Sequence, residues 1–115
     1  MIRYEVADGV GVITLDRPEF KNALTIEMRD DIVAAVRSAR SDANVRALLI
    51  TGAGDAFCAG MDLSASTVAT ASEPGYEPRS TSEALRIGVQ AFIRELWDLD
   101  KPTVAAVNGA AVGPG

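Results

Sequence analysis

The chain has 115 residues, 48% of them apolar and 23% charged, with a formal net charge of −5. This is the make-up of a globular domain and excludes a disordered or fibrous chain. The acidic balance and the lack of any basic run argue against an extended nucleic-acid surface. With no histidine and a single cysteine, the sequence offers no Ser-His-Asp triad, histidine metal site, internal disulfide or zinc cage. Chemistry falls to carboxylates, backbone amides, lysine or the one thiol.

Ile2 to Val6 and Val10 to Leu15 read as two strands joined by Asp8-Gly9, a dipeptide suited to the positive φ angles of a tight hairpin turn. Asp16-Arg17-Pro18 ends the second strand. Thr25 can cap a helix whose apolar positions Ile26, Ile32, Val33, Val36 and Ala39 fall largely on one face. Arg46 to Thr51 is a continuous apolar run suited to a strand covered on both faces. Ser64 to Arg79, with Pro74, Gly75 and Pro78, has the composition of a flexible loop or lid. Ser80-Thr81-Ser82-Glu83 matches a capping box, after which Leu85, Val89, Phe92, Ile93 and Leu96 recur at helical spacing up to Trp97, with core packing expected for Phe92, Leu96 and Trp97. Lys101-Pro102 breaks that helix, and Thr103 to Val107 reads as a short buried strand.

No apolar run approaches the length of a bilayer-spanning helix, and the start of the chain lacks the basic-then-apolar layout of a signal peptide. The expectation is a cytoplasmic protein without membrane or nucleic-acid partners.

Two glycine turns carry the strongest functional signal. Phe57-Cys58-Ala59-Gly60-Met61-Asp62-Leu63 follows the apolar strand, and Asn108-Gly109-Ala110-Ala111-Val112-Gly113-Pro114-Gly115 echoes it. Glycine lets the main chain approach a ligand closely, so paired turns of this kind can aim backbone N–H groups at one oxygen atom.

Four segments taken together are similar to the crotonase superfamily of enoyl-CoA hydratases and isomerases. They are Leu15-Asp16-Arg17-Pro18 through Lys21-Asn22-Ala23-Leu24, then Ala56 to Leu63, then Asp100-Lys101-Pro102, then Val107 to Gly115. The resemblance covers the chain apart from Ser64 to Arg79. It implies an α/β fold, a crotonase-like spiral of repeated β-β-α units, of which residues 1–115 would be the N-terminal part of a single domain, truncated after the second glycine turn. It implies acyl-CoA thioester substrates, no cofactor beyond the coenzyme A of the substrate, and a homo-trimer or hexamer for the parent protein.

Carried over position by position, the resemblance makes the Met61 backbone N–H one oxyanion-hole donor to the thioester oxygen, within a substrate-binding stretch of Ala59, Gly60, Met61, Asp62 and Leu63. Each such fixed donor is worth roughly 2.7 to 4 kcal/mol of transition-state stabilisation in a dry site. The second donor position reads as Pro114, which has no N–H, so Gly113 or Gly115 must supply the amide or the hole is weakened. The Lys21 to Leu24 stretch resembles the segment lining the adenine and phosphate end of coenzyme A. Ala23 would offer its carbonyl to the adenine amino group, with Lys21 and Arg17 as phosphate partners, or else as solvated surface charges.

Asp62 is a possible general base, or a cap for a following helix turn. Cys58 lies in an apolar stretch with no histidine to activate it, which favours packing over nucleophilic work. The acid and base glutamates implied by the resemblance lie downstream of the second turn. Glu73, Glu77 and Glu83 are better explained by solvent and capping than by proton transfer. The reading is therefore hydration of a 2-enoyl-CoA by the parent enzyme, with double-bond isomerisation or thioester hydrolysis as alternatives, and a non-catalytic crotonase-like fragment as a reading of another class.

Overall fold

The computed structural model describes residues 1–62, 89–113 and 115. Strands β1 (Ile2–Ala7) and β2 (Val10–Leu15) form the expected antiparallel hairpin, with Ile2 opposite Leu15 and Ala7 opposite Val10. Asp8 and Gly9 turn the chain at φ of 51° and 81°, the paired positive angles that match the right-handed twist of the flanking strands. A 3-10 turn, Pro18–Phe20, separates the hairpin from helix α1 (Ile26–Ser41).

Thr25 caps α1 as its sequence position suggests, its Oγ1 accepting from the Met28 N–H at 3.1 Å. The buried stripe is Met28, Ile32, Ala35, Val36 and Ala39, residues three or four apart that share one helix face. At the far end, Lys101 Nζ donates to the carbonyls of Ala39 at 2.6 Å and Asp42 at 2.8 Å. It thereby satisfies acceptors that a helix C-terminus leaves without intrahelical partners.

Strand β3 (Ala47–Gly52) lies parallel to β2, and β5 (Thr103–Ala106) lies parallel to β3, giving a four-stranded sheet in the order β1-β2-β3-β5. Two short strands, β4 (Ala56–Cys58) and β6 (Ala110–Ala111), pair in parallel as a second sheet. Helix α2 (Val89–Trp97) stands between β4 and β5 in the chain. The succession β1-β2-α1, β3-β4-α2, β5-β6 is the β-β-α repetition that the resemblance implied. Each later unit adds one strand to each sheet, which stacks the β4 and β6 ends side by side. The units differ in length, so the sequence shows no constant period.

One core fills the space between the four-stranded sheet and the two helices. Ile13, Met28 and Val36 are fully buried, joined by Leu48, Phe57, Phe92 and Leu99. A partly open pocket of about 70 Å³ borders it, with Leu24, Ile32, Phe57 and Phe92 among its lining residues.

Three expectations about burial are corrected. β3 is not covered on both faces: Leu48 is buried, while Leu49 and Ile50 are only partly so, because both described helices pack on one side. β5 is exposed along its whole length, because it is the last strand of the sheet and no described element lies over it. Trp97 is 86% exposed rather than in the core. At 3.6 residues per turn it sits about 100° round from Leu96, and it shares its open face with Ile93, while Phe92 and Leu96 turn inward. Leu63, the Ser64 to Arg79 segment, the Ser80 to Glu83 capping box, Leu85 and Pro114 lie outside the described residues. Among the described residues no helix is long and apolar enough to cross a membrane.

Candidate active site

The first glycine turn is held by the segment that follows the 3-10 turn. Leu24 donates its N–H to the Gly60 carbonyl at 2.7 Å and accepts from the Asp62 N–H at 2.8 Å, forming an isolated parallel bridge to Met61. Ala59 donates to the Lys21 carbonyl at 3.0 Å. In a parallel bridge of this kind the flanking residues carry the bonds, so the Met61 N–H faces away from Leu24. Among the described residues that N–H makes no hydrogen bond. The Met61 side chain packs against the core. The structure thus joins Lys21, Ala23 and Leu24 to Ala59, Gly60, Met61 and Asp62.

The second turn is carried to the same place by β6. Val112 donates to the Cys58 carbonyl at 3.0 Å, continuing the β4 pairing past the strand end. Gly60 has φ of 100° and Gly113 φ of 59°, backbone conformations that side chains disfavour. A Cβ on Gly60 would sit 3.2 Å from the Val112 carbonyl oxygen, and one on Gly113 would sit 3.9 Å from the Gly60 Cα. The turns therefore abut main chain to main chain. Gly115 donates its N–H to the Val112 carbonyl at 2.9 Å, so this amide is already engaged. Of the two candidate second donors, Gly113 is the one whose N–H makes no hydrogen bond among the described residues.

Two asparagines hold this arrangement, and sequence reasoning gave neither a role. Asn22 is completely buried. Its Oδ1 accepts from the Arg17 N–H at 2.8 Å, and its Nδ2 donates to the carbonyls of Ala53 and Ala56, each at 2.9 Å. Its φ of 59° is one that asparagine tolerates better than most residues. Asn108 approaches the same loop from the other turn, its Nδ2 donating to Gly54 O at 2.9 Å and Ala56 O at 3.2 Å while its Oδ1 accepts from Gly52 N–H at 3.2 Å. The Ala56 carbonyl is thus shared by both amides. An asparagine beside a turn is the only trace of this in the sequence, and a single sequence does not distinguish a buried amide from a surface one.

The charged candidates fall differently from expectation. Arg17 is not a solvated surface charge. Its Nη1 donates to Asp62 Oδ2 at 2.7 Å and to the Ala23 carbonyl at 3.1 Å, and the guanidinium lies 4.1 Å from the Phe20 ring centroid. Both side chains of the Arg17–Asp62 pair are only 12% exposed. Asp62 is accordingly tied to a cation. Lys21 is exposed, with its Nζ 3.9 Å from Asp55 Oδ1.

Cys58 is buried, and burial pushes its thiol above the ordinary range, only partly opposed by a hydrogen bond from the Gly60 backbone. The thiol stays protonated and packs as a small hydrophobe. Among the described residues no group of three or more His, Cys, Asp or Glu side chains is placed to hold a metal ion.

Comparison with known proteins shows the family of the chain. The family model described as enoyl-CoA hydratase/isomerase matches residues 5–115. A Rhodobacter capsulatus protein named as a probable enoyl-CoA hydratase is 41% identical over 114 residues, spanning 99% of this chain and 40% of that protein. The 1,2-epoxyphenylacetyl-CoA isomerase of Escherichia coli is 37% identical over 114 residues, spanning 96% of this chain and 40% of the isomerase. Among solved structures, an enoyl-CoA hydratase/isomerase from Xanthobacter autotrophicus superimposes with a TM-score of 0.81 at 39% identity, over 98% of this chain and 40% of that one. The chain thus spans about 40% of the length of the curated relatives it matches.

Proposed function

This chain belongs to the enoyl-CoA hydratase/isomerase family, and on that premise we propose that it carries the thioester-binding part of an enzyme that hydrates a 2-enoyl-CoA. The substrate carbonyl oxygen would accept from the Met61 N–H and the Gly113 N–H, stabilising the negative charge that forms when water adds across the conjugated double bond. The observation that carries this reading is the Met61 N–H, without a hydrogen-bond partner among the described residues, at the turn where Gly60 abuts Gly113. Coenzyme A arrives as part of the substrate, with its adenine amino group reaching the Ala23 carbonyl and Lys21 facing a phosphate.

Hydration also needs a base to activate water and an acid to protonate carbon, together worth about 10² to 10⁴-fold in rate. Asp62 is held by Arg17, so those groups are proposed to come from outside these residues. The test is to mix the full-length protein with a short 2-enoyl-CoA and follow loss of the conjugated-thioester absorbance with formation of 3-hydroxyacyl-CoA. Absence of that product across short and medium acyl chains would refute hydration. A shifted double bond in its place would favour isomerisation, the second reading, which a 40% identical Rattus norvegicus relative named enoyl-CoA delta isomerase 2 supports.

A further inference from the structure

Asp62 follows Met61 directly in the chain, so a carboxylate is carried by the residue next to the proposed oxyanion donor. A like charge beside that donor opposes oxyanion formation, the more so the less water screens it. The structure answers it with Arg17. That guanidinium is fixed by Asp62 at 2.7 Å, by the Ala23 carbonyl at 3.1 Å and by the Phe20 ring, while the Arg17 main chain is bonded to Asn22. Both partners are 12% exposed, so salt and water screen the pair only weakly.

We propose that Arg17 is a positioning residue whose charge cancels that of Asp62 beside the Met61 N–H, so that the donor meets the thioester oxygen in neutral surroundings. Arg17 does not touch the reacting atoms; it acts through Asp62. The same Nη1 also reaches Ala23, so the contact that neutralises the donor's neighbour fixes the proposed adenine acceptor. The inference rests on Met61 being an oxyanion donor.

Its test reads the field at that donor without turnover. The absorption band of a conjugated dienoyl-CoA thioester moves to longer wavelength as its carbonyl is polarised, and it can be recorded bound to the full-length protein. Arg17→Met should return the bound band toward its free-solution position, and Arg17→Met with Asp62→Asn should restore it. Arg17→Lys should keep most of the shift. Asp62→Asn alone should move the band beyond wild type, a gain that a damaged fold does not produce. An unchanged band in Arg17→Met, or no restoration in the double variant, would overturn the proposal. If Arg17→Met does not fold, Asp62→Asn decides: a band equal to or shorter than wild type overturns it. A bound ligand with no red shift in wild type would instead dismiss the oxyanion reading itself, and this inference with it.

Discussion

The two glycine turns abut main chain to main chain but stand in opposite surroundings. The first is braced by buried groups: Asn22 is 0% exposed, Gly60 and Cys58 are buried, and the Lys21 to Leu24 segment is hydrogen-bonded along it. The second is exposed from Thr103 through Val112, held by pairing to β4, by β3 and by Asn108. Identical amide chemistry therefore carries different weight. A hydrogen bond lost in the first turn leaves dry groups unsatisfied, whereas the same loss in the second leaves groups that water can reach.

The two asparagines sharing the Ala56 carbonyl make the sharpest contrast. Asn22→Ala removes three hydrogen bonds, one buried and two part-buried, and should destabilise the fold by about 3 kcal/mol, given roughly 1–3 kcal/mol for each group left unsatisfied. Asn108→Ala breaks a similar set near solvent and should cost only about 1 kcal/mol. Denaturant unfolding of the two variants checks this. Equal losses would show that the second turn is as sheltered as the first.

The glycines should follow the same order with smaller effects. Gly60→Ala forces a side chain into φ of 100° with the Val112 oxygen 3.2 Å away, a strain of about 1–3 kcal/mol. Gly113→Ala, at φ of 59° with 3.9 Å to its neighbour, should cost about 1 kcal/mol. Thermal unfolding ranks the two. The dienoyl-CoA band should be weakened more by Gly60→Ala, which moves the Met61 amide, than its stability loss alone suggests.

The same contrast explains what was legible in the sequence. Elements defined by local chemistry could be read directly: the Asp8-Gly9 hairpin and the Thr25 cap depend on residues a few positions apart, and of the expected α1 stripe Ile32, Val36 and Ala39 are buried, while Ile26 is only partly so and Met28 and Ala35 take part instead. The crotonase-like order of units was legible because four different short segments occur in one order along the chain. What depends on distant partners was not. Arg17 looked like a surface charge because Asp62, its partner, is 45 residues away, and Asn22 looked unremarkable because Ala53 and Ala56 are 31 and 34 residues away. β5 reads as buried because apolar composition reports what a strand is suited to pack against, not whether a described element covers it.

The smallest predicted effect lies at the helix that connects the two regions. α2 precedes β5, and Glu95 on it is clasped by two arginines of α1. Its Oε1 accepts from Arg37 Nη2 at 2.9 Å and its Oε2 from Arg40 Nη2 at 3.0 Å. The Arg37 hydrogen bond, more than the nearby positive charges, holds the Glu95 carboxyl below its ordinary value of 4.5. A carboxylate whose pKa is lower folded than unfolded stabilises the fold at pH above the unfolded value. That contribution fades as pH falls from about 4.5 through the folded pKa. Wild type should therefore melt slightly above Glu95→Gln at pH 7, and the difference should vanish in acid as both carry a neutral side chain. Because the pair is at the surface, the gap should also shrink in high salt. A gap that persists in acid would mean that packing between α1 and α2, rather than charge, joins the braced half of the molecule to the open one.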